Sequence, residues 1–138
     1  LIATQVVEHL PPDYLMRFLA AAADTLRSGA PIVLETINPA CWSAFFDSYV
    51  RDLTHVQPVH PDTLSFLVTA AGFRDASILW RSPYPENGKL ERLPEATRAA
   101  ALADPALRPL VETVERNVDR LNGLFFGYRD YAVVAYRP

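Results

Sequence analysis

Runs of apolar residues predict four β-strands along the chain. The runs cover residues 1–7, 31–37, 74–82 and 128–137, and turn-forming residues separate them from their neighbours. The first run, LIATQVV, is mostly apolar and β-branched, which is typical of a strand buried within a sheet. The sequence therefore predicts a sheet built from strands that are far apart along the chain.

Apolar residues at helical spacing predict helices between these strands. One helix begins with Pro12 and Asp13 in its first turn, and another begins at Pro61. Two more are expected between the third and fourth strands, the longer of them with Asp104 as its N-cap. The side chains expected to face inward are Leu15, Phe18, Leu19, Ala22, Leu26, Leu64, Leu67, Val68, Ala71, Leu107, Leu110, Val111, Val114, Val118 and Leu121.

The order of these elements predicts the fold class. Strands alternate with helices, which favours an α/β layered fold. The first two strands are joined by one helix and are expected to form a parallel, right-handed βαβ unit. The last two strands are expected to be antiparallel neighbours, with the helices of residues 83–126 inserted between them. The prediction is thus one domain over residues 1–138 with a helical insertion.

Composition and charge exclude several classes of protein. Half of the 138 residues are hydrophobic and 21% are charged, as in a globular domain. The net charge of −3 argues against a nucleic-acid partner, and no apolar run is long enough to span a membrane. Cys41 is the only cysteine, so we interpret it as a small buried residue in a protein of the reducing cytoplasm.

Four segments resemble the C-terminal half of class I S-adenosylmethionine-dependent methyltransferases. IATQVVEHL at residues 2–10 resembles the family's fourth strand and the turn after it. LRSGAPIVLET at 26–36 resembles the approach to the fifth strand, with Ala30 where a second glycine is usual. AAGF at 70–73 precedes the expected sixth strand, and YAVVA at 131–135 suits the antiparallel seventh.

Two further stretches resemble one group within this class of methyltransferases. Asn38-Pro39 and DLTHVQPVHP at residues 52–61 are similar to methyltransferases of bacterial polysaccharide and glycan-modification clusters. The resemblance implies the C-terminal part of a Rossmann-like methyltransferase sheet, with S-adenosylmethionine as cofactor. The family's glycine-rich cofactor loop and its ribose-binding acid lie upstream of the matched region. The 138 residues contain five glycines and no GxGxG, so we expect weak or no cofactor binding by this segment alone.

The end of the first strand carries the first group of candidate site residues. Ligands of open α/β sheets bind beyond the carboxyl ends of the strands. The resemblance implies that this stretch lines the methionine end of the cofactor, through Gln5, Val6, Val7 and Glu8. His9 follows and is a candidate general base, because its pKa is ordinarily close to physiological pH. Alternatively, Glu8 and His9 only cap the next helix.

A metal is a further possibility that the resemblance raises. Ubiquinone-pathway O-methyltransferases have a similar turn, whose acidic residues and histidine bind a divalent metal. In this chain Gln5 stands in place of one expected acid. The predicted site therefore contains no metal ligand.

The proline-braced loop after the second strand carries the second group. Asp52 is expected to fix the tautomer of His55, which leaves the other ring nitrogen for a substrate hydroxyl. Thr54 and His60 are candidate substrate-binding residues, although His60 precedes Pro61 and is also suited to cap the helix that begins there.

An aromatic stripe precedes this loop. Trp42 and Tyr49 are candidates for stacking on a sugar acceptor, and Arg51 for binding a phosphate or carboxylate. Phe45 and Phe46 are expected to pack in the core, because aromatic stripes at helical spacing usually do.

The leading functional hypothesis is a fragment of a methyltransferase that acts on an oxygen of a glycan or related small acceptor. A non-catalytic accessory module that keeps the same shape is the alternative. A hydrolase based on Cys41 is disfavoured, because no nucleophile-elbow pattern is present. We also expect self-association through an exposed edge at residues 2–7, with Val6, Val7 and Leu34 stripped of apolar cover.

Overall fold

The apolar runs form one four-stranded sheet. In the computed structural model, which describes residues 1–138, the strands are β1 (Ile2–Thr4), β2 (Pro31–Ile37), β3 (Arg74–Pro83) and β4 (Tyr128–Tyr136). Their order across the sheet is β1-β2-β4-β3. β1 and β2 are parallel, and β4 is antiparallel to both of its neighbours. The predicted α/β fold, with antiparallel last strands, is confirmed.

Five α-helices and several short turns connect the strands. The helices are α1 (Pro12–Thr25), α2 (Trp42–Ala44), α3 (Pro61–Ala70), α4 (Glu95–Ala103) and α5 (Arg108–Phe125). A π-helical turn (Phe45–Tyr49) continues α2, and 3-10 turns lie at Val7–His9 and Glu86–Gly88. None of the helices combines the length and the apolar character needed to cross a bilayer.

The main core lies between one face of the sheet and helices α1 and α3. Paired residues of β2 and β4 present this face, namely Ile32 with Ala135, Leu34 with Val133, and Thr36 with Tyr131. All six are almost completely buried. The helices cover them with Leu15, Leu19, Ala22, Ala23, Leu64 and Val68. Alternation along the strands and helical spacing along α1 and α3 therefore meet in one apolar layer.

The first strand is shorter than the seven residues predicted. It ends at Thr4, because Gln5 adopts a left-handed backbone conformation with φ of 53° and turns the chain out of the sheet. The 3-10 turn that follows directs Val7 into the core, where it is 0% exposed, and Leu34 is equally buried. The expectation that Val7 and Leu34 lack apolar neighbours was therefore wrong. Val6, in contrast, is 38% exposed.

The insertion between β3 and β4 is a helical hairpin of α4 and α5. Its ion pairs include Arg92 with Asp119 at 2.6 Å. The predicted inward face of α5 is mostly solvent-exposed, and only Val111 on it is buried. The reason is that α5 packs on the short helix α4 rather than on the sheet. Asp104 accepts a hydrogen bond from the Ala106 amide at 2.8 Å and caps a turn, and α5 begins only at Arg108.

The outer edge of β1 leads to a prediction about self-association. β1 is an edge strand of the sheet, and Ile2 within it is 74% exposed. Unpaired edge backbone next to exposed apolar side chains is a template for pairing with another chain. We predict that the chain self-associates with rising concentration and that Ile2→Lys reduces this association. Sedimentation velocity at several concentrations measures the effect.

The matched control for this prediction is Leu53→Lys, because Leu53 is 97% exposed and belongs to a loop rather than to a strand. The control is expected to associate like the parent chain. A parent chain that stays monomeric at all concentrations would show that residues 2–7 are not an association surface.

Candidate functional site

The site forms where the parallel strands β1 and β2 end. Their register pairs Thr4 with Glu35, so the turn after β1 lies beside the end of β2. The Gln5 amide donates to the Glu35 carbonyl at 2.8 Å, and the positive φ of Gln5 then starts the 3-10 turn. Glu8 in this turn is buried and His9 is half-buried. The carboxyl edge of the sheet therefore carries two side chains that the sequence singled out.

The loop of residues 50–60 is hydrogen-bonded to this turn. The amides of Val56 and Gln57 both donate to the Glu8 carbonyl, at 2.9 and 3.3 Å. The Gln57 side chain donates to the Leu10 carbonyl at 3.0 Å. The Tyr131 hydroxyl, inside the core, donates to the Val59 carbonyl at 2.7 Å. These bonds hold the loop over the end of β1.

Asp52, Thr54 and His9 form a hydrogen-bonded chain. Asp52 Oδ1 accepts from the Thr54 amide at 2.8 Å and from its hydroxyl at 2.7 Å. These bonds hold the pKa of Asp52 below its usual value, so it is an anion at neutral pH. His9 Nδ1 lies 3.1 Å from the Thr54 carbonyl, which can only accept. Nδ1 of His9 therefore carries the hydrogen, and its Nε2 keeps a free lone pair.

His55 has the same tautomer for a different reason than predicted. Its Nδ1 donates to the Tyr49 main-chain carbonyl at 2.7 Å, so this carbonyl fixes the tautomer. Asp52 Oδ2 lies 3.9 Å from His55 Nε2, which is too far for a hydrogen bond. The expected role of Asp52 was therefore wrong. The His55 side chain is only 6% exposed, and its Nε2 is not hydrogen-bonded.

The His55 ring contacts the rings of both His9 and Tyr49. The centroids of the two histidine rings are 4.7 Å apart, and the His55 ring stacks on Tyr49 at 4.6 Å with an angle of 18°. Burial, and then the charge of Glu8, raise the pKa of Tyr49. The same two causes raise the pKa of Tyr131. The charge of Glu8 therefore contributes to the raised pKa of both tyrosines.

Glu8 is the unusual member of the site. This residue is 1% exposed, and neither oxygen of its carboxylate has a hydrogen-bond partner. Three potential ligand atoms lie within 4.8 Å of one another, one from each of Glu8, His9 and His55. We call these three residues the Glu8–His cluster. A buried carboxylate without a partner is costly, so its presence marks a place where another group is expected to bind.

The aromatic stripe lies next to the cluster. Tyr49 stacks on Phe45, and Trp42 contacts Phe46 and Phe125 edge to face. Phe46 is 59% exposed, so its predicted place in the core was wrong, while Phe45 is half-buried. Pro39, Trp42, Phe45 and Phe46 together line an open apolar depression. The physical reason is that the buried apolar cluster next to them is small and consists of Ile37, Cys41 and Ala44, so the aromatic side chains lack a covering layer.

The remaining predicted site residues lie around this centre. Arg51 is exposed and pairs with Asp47 at 3.5 Å. His60 lies outside the cluster, and its Nδ1 accepts from the Asp62 amide at 3.2 Å as the N-cap of α3. Cys41 is buried, as expected. Tyr131 was not predicted as a site residue. A tyrosine that begins the apolar run YAVVA needs a partner for its hydroxyl once it is buried, and this could have indicated a contact with a loop.

Comparisons with known proteins agree with this fold. No model of a protein family matches the chain, and no curated protein matches it. The crystal structure of a SAM-dependent methyltransferase from Archaeoglobus fulgidus is 30% identical, with a TM-score of 0.81. The similarity covers 98% of this chain and 57% of that protein, so the chain spans a little over half the length of this relative.

Two more distant structures share the fold alone. Haemonchus contortus phosphoethanolamine N-methyltransferase 2, in complex with S-adenosyl-L-methionine, is 14% identical with a TM-score of 0.52. Another structure of this protein, with phosphomonomethylethanolamine and S-adenosylhomocysteine, is 13% identical with a TM-score of 0.54. Each similarity covers 99% of this chain and 32% of the Haemonchus protein. The fold of the chain therefore corresponds to a part of the Rossmann-like methyltransferase fold, and its structural neighbours are SAM-dependent methyltransferases.

Proposed function

We propose that this chain is the acceptor-side part of an S-adenosylmethionine-dependent methyltransferase that methylates an oxygen of a glycan or related small molecule. The observation that supports this most is the Glu8–His cluster at the carboxyl ends of β1 and β2. Ligands of open α/β sheets bind beyond this edge. The similarity to the Archaeoglobus fulgidus methyltransferase supports the class of reaction.

The residues of this chain suit the methionine side of the cofactor better than the side that a glycine-rich loop binds. Two glycines have a positive φ, Gly29 and Gly72, and they precede β2 and β3. They therefore lie at the amino ends of these strands, away from the edge where a cofactor loop is needed. In contrast, the turn from Gln5 to Glu8 leaves β1 at its carboxyl end. We assign this turn to the methionine side, with the Val7 side chain confined to the core.

The proposed reaction requires a proton acceptor beside the acceptor hydroxyl. When bound, S-adenosylmethionine supplies a methyl group bonded to a positively charged sulfur. Transfer of this methyl group to an acceptor oxygen would break the carbon–sulfur bond and release the proton of the acceptor hydroxyl, which therefore needs a proton acceptor nearby. Nε2 of His55 has a free lone pair, because Nδ1 is held by the Tyr49 carbonyl. His55 is therefore assigned as the proton acceptor, with His9 as a second free Nε2 beside it.

The aromatic depression is the proposed place for the acceptor. Trp42 is 47% exposed and lies in the same aromatic group as Tyr49, which stacks on His55. Sugar rings present apolar faces that pack on aromatic side chains, and their hydroxyls need polar partners nearby. Arg51 and Thr54, on the adjoining loop, are exposed and suited to contact polar groups of the acceptor.

A methyl-transfer assay tests the proposed function. A form of the protein that also carries a glycine-rich cofactor loop is incubated with labelled S-adenosylmethionine and a panel of glycans, small alcohols and amines. We expect label on oxygen atoms of sugar-type acceptors. Label on amines only, or on no acceptor in a form that binds the cofactor, would contradict the assignment.

A further inference from the structure

Three side chains of the site, those of Glu8, His9 and His55, each have a potential ligand atom within 4.8 Å of the other two. His9 and His55 use their Nδ1 hydrogens on the carbonyls of Thr54 and Tyr49. This leaves Nε2 of both rings as a bare acceptor, and the Glu8 oxygens have no partner. We propose that Glu8, His9 and His55 bind one divalent metal ion of the zinc type.

The burial of Glu8 supports this proposal independently of the grouping. A carboxylate that is 1% exposed loses its hydration, and no hydrogen bond in the structure replaces it. A protonated histidine would compensate the charge, but no imidazole nitrogen hydrogen bonds to either oxygen. A bound cation compensates the charge and also satisfies both ring nitrogens.

The ligand atoms are grouped but lie farther apart than around a bound ion. One atom from each residue lies within 4.8 Å of the other two. Bonds of about 2.1 Å in the tetrahedral arrangement that zinc prefers place two ligand atoms about 3.4 Å apart. The ligand atoms therefore need to approach one another by up to about 1.4 Å, which rotations of side-chain torsions provide.

The surroundings of the two histidines resemble those of metal ligands in general. Histidines that bind metals usually donate their other nitrogen to a carbonyl or carboxylate, which fixes the ring. Both Nδ1 atoms do so here, at 3.1 Å for His9 and 2.7 Å for His55. Two imidazoles with one carboxylate form a set that suits zinc and related transition metals, whereas magnesium prefers oxygen ligands.

The sequence predicted no metal ligand, because Gln5 replaces an expected acid beside Glu8 and His9. Residue spacing could not show that His55 lies next to this turn. Tertiary hydrogen bonds bring the loop that carries His55 to the turn, among them those from the amides of Val56 and Gln57 to the Glu8 carbonyl. An ion held by three protein ligands keeps a position for an oxygen of another molecule. In the proposed reaction, the ion would make an acceptor hydroxyl at that position more acidic, and the proton would leave to water. His55 would then be a ligand, and it would take the proton itself only in the metal-free site. This last role rests on the proposed function, whereas ion binding does not.

Calorimetric titration of the metal-free chain with Zn²⁺ tests the site. We expect one ion per chain, and a loss of at least about tenfold in affinity for Glu8→Gln, since even residues behind the ligands matter this much. His9→Gln is a second ligand variant, should Glu8→Gln fail to fold. His60→Asn is the matched control, because it removes an imidazole outside the cluster and keeps a side chain that can cap α3.

Two further measurements separate this site from nonspecific binding. Co²⁺ bound in place of Zn²⁺ is expected to give visible absorption that the two ligand variants lose and His60→Asn keeps. Excess Mg²⁺ is expected not to displace Zn²⁺. Zinc affinity that is equal in the parent, Glu8→Gln and His9→Gln would overturn the proposal. These tests need no methyl transfer, so an inactive protein that binds zinc through the cluster would refute the proposed function and leave the metal site intact.

Discussion

His55→Ala is expected to lower the turnover of methyl transfer by about 10²–10⁴-fold, the usual cost of losing a general base. The substitution removes a buried imidazole that belongs to the Glu8–His cluster and whose Nε2 is not hydrogen-bonded. It acts on the acceptor proton, whether the ring takes that proton directly or holds an ion that acidifies the hydroxyl. The affinity for S-adenosylmethionine is expected to change little. The measurement is kcat together with cofactor Kd, in a form of the protein that carries a glycine-rich loop.

His60→Ala is the control for this substitution. It removes the same kind of ring from the same loop, but His60 caps α3 and is not part of the Glu8–His cluster. Its expected effect is a loss of about 0.5–2 kcal/mol of stability with nearly normal turnover. Equal turnover of His55→Ala and the parent protein would refute the assigned role. A large loss of turnover in His60→Ala at unchanged stability would reverse the roles of the two histidines.

Local patterns predicted most of the fold correctly. The apolar run at Pro31–Ile37 was predicted as a strand and has these bounds in the structure, and the helical face from Leu15 to Ala22 is buried as predicted. The antiparallel pairing of β3 and β4 was also predicted, although a long insertion separates them. The first strand was predicted too long, because Gln5 adopts a positive φ that its residue type does not indicate.

The candidate site was predicted in its parts but not in its arrangement. His9 and His55 were both singled out, but their contact depends on hydrogen bonds between the Glu8 carbonyl and the amides of the following loop. The burial of the Glu8 carboxylate follows from the same contact and has no signature in the sequence. Main-chain groups also replaced a predicted side-chain partner, since the Tyr49 carbonyl rather than Asp52 orients His55. Tertiary hydrogen bonds of this kind cannot be derived from residue spacing.

The 138-residue chain by itself is expected to bind S-adenosylmethionine weakly or not at all. The Rossmann-type cofactor site needs glycines at a turn beyond the carboxyl end of a strand, so that main-chain amides reach the ligand closely. Gly29 and Gly72 precede their strands, and no GxGxG occurs in the chain. Under the proposed assignment, the turn from Gln5 to Glu8 contacts only the methionine end of the cofactor, so the adenosine is expected to lack partners in this chain.

Calorimetry of the isolated chain against S-adenosylmethionine measures this directly. The positive control is the whole Archaeoglobus fulgidus protein, of which this chain matches 57%. Its affinity is expected to exceed that of the isolated chain by at least about 100-fold, because a cofactor that loses half of its contacts loses several kcal/mol of binding free energy. Tight binding by the isolated chain would mean that residues 1–138 contain a complete cofactor site. The turn from Gln5 to Glu8 would then have to bind more of the cofactor than its methionine end.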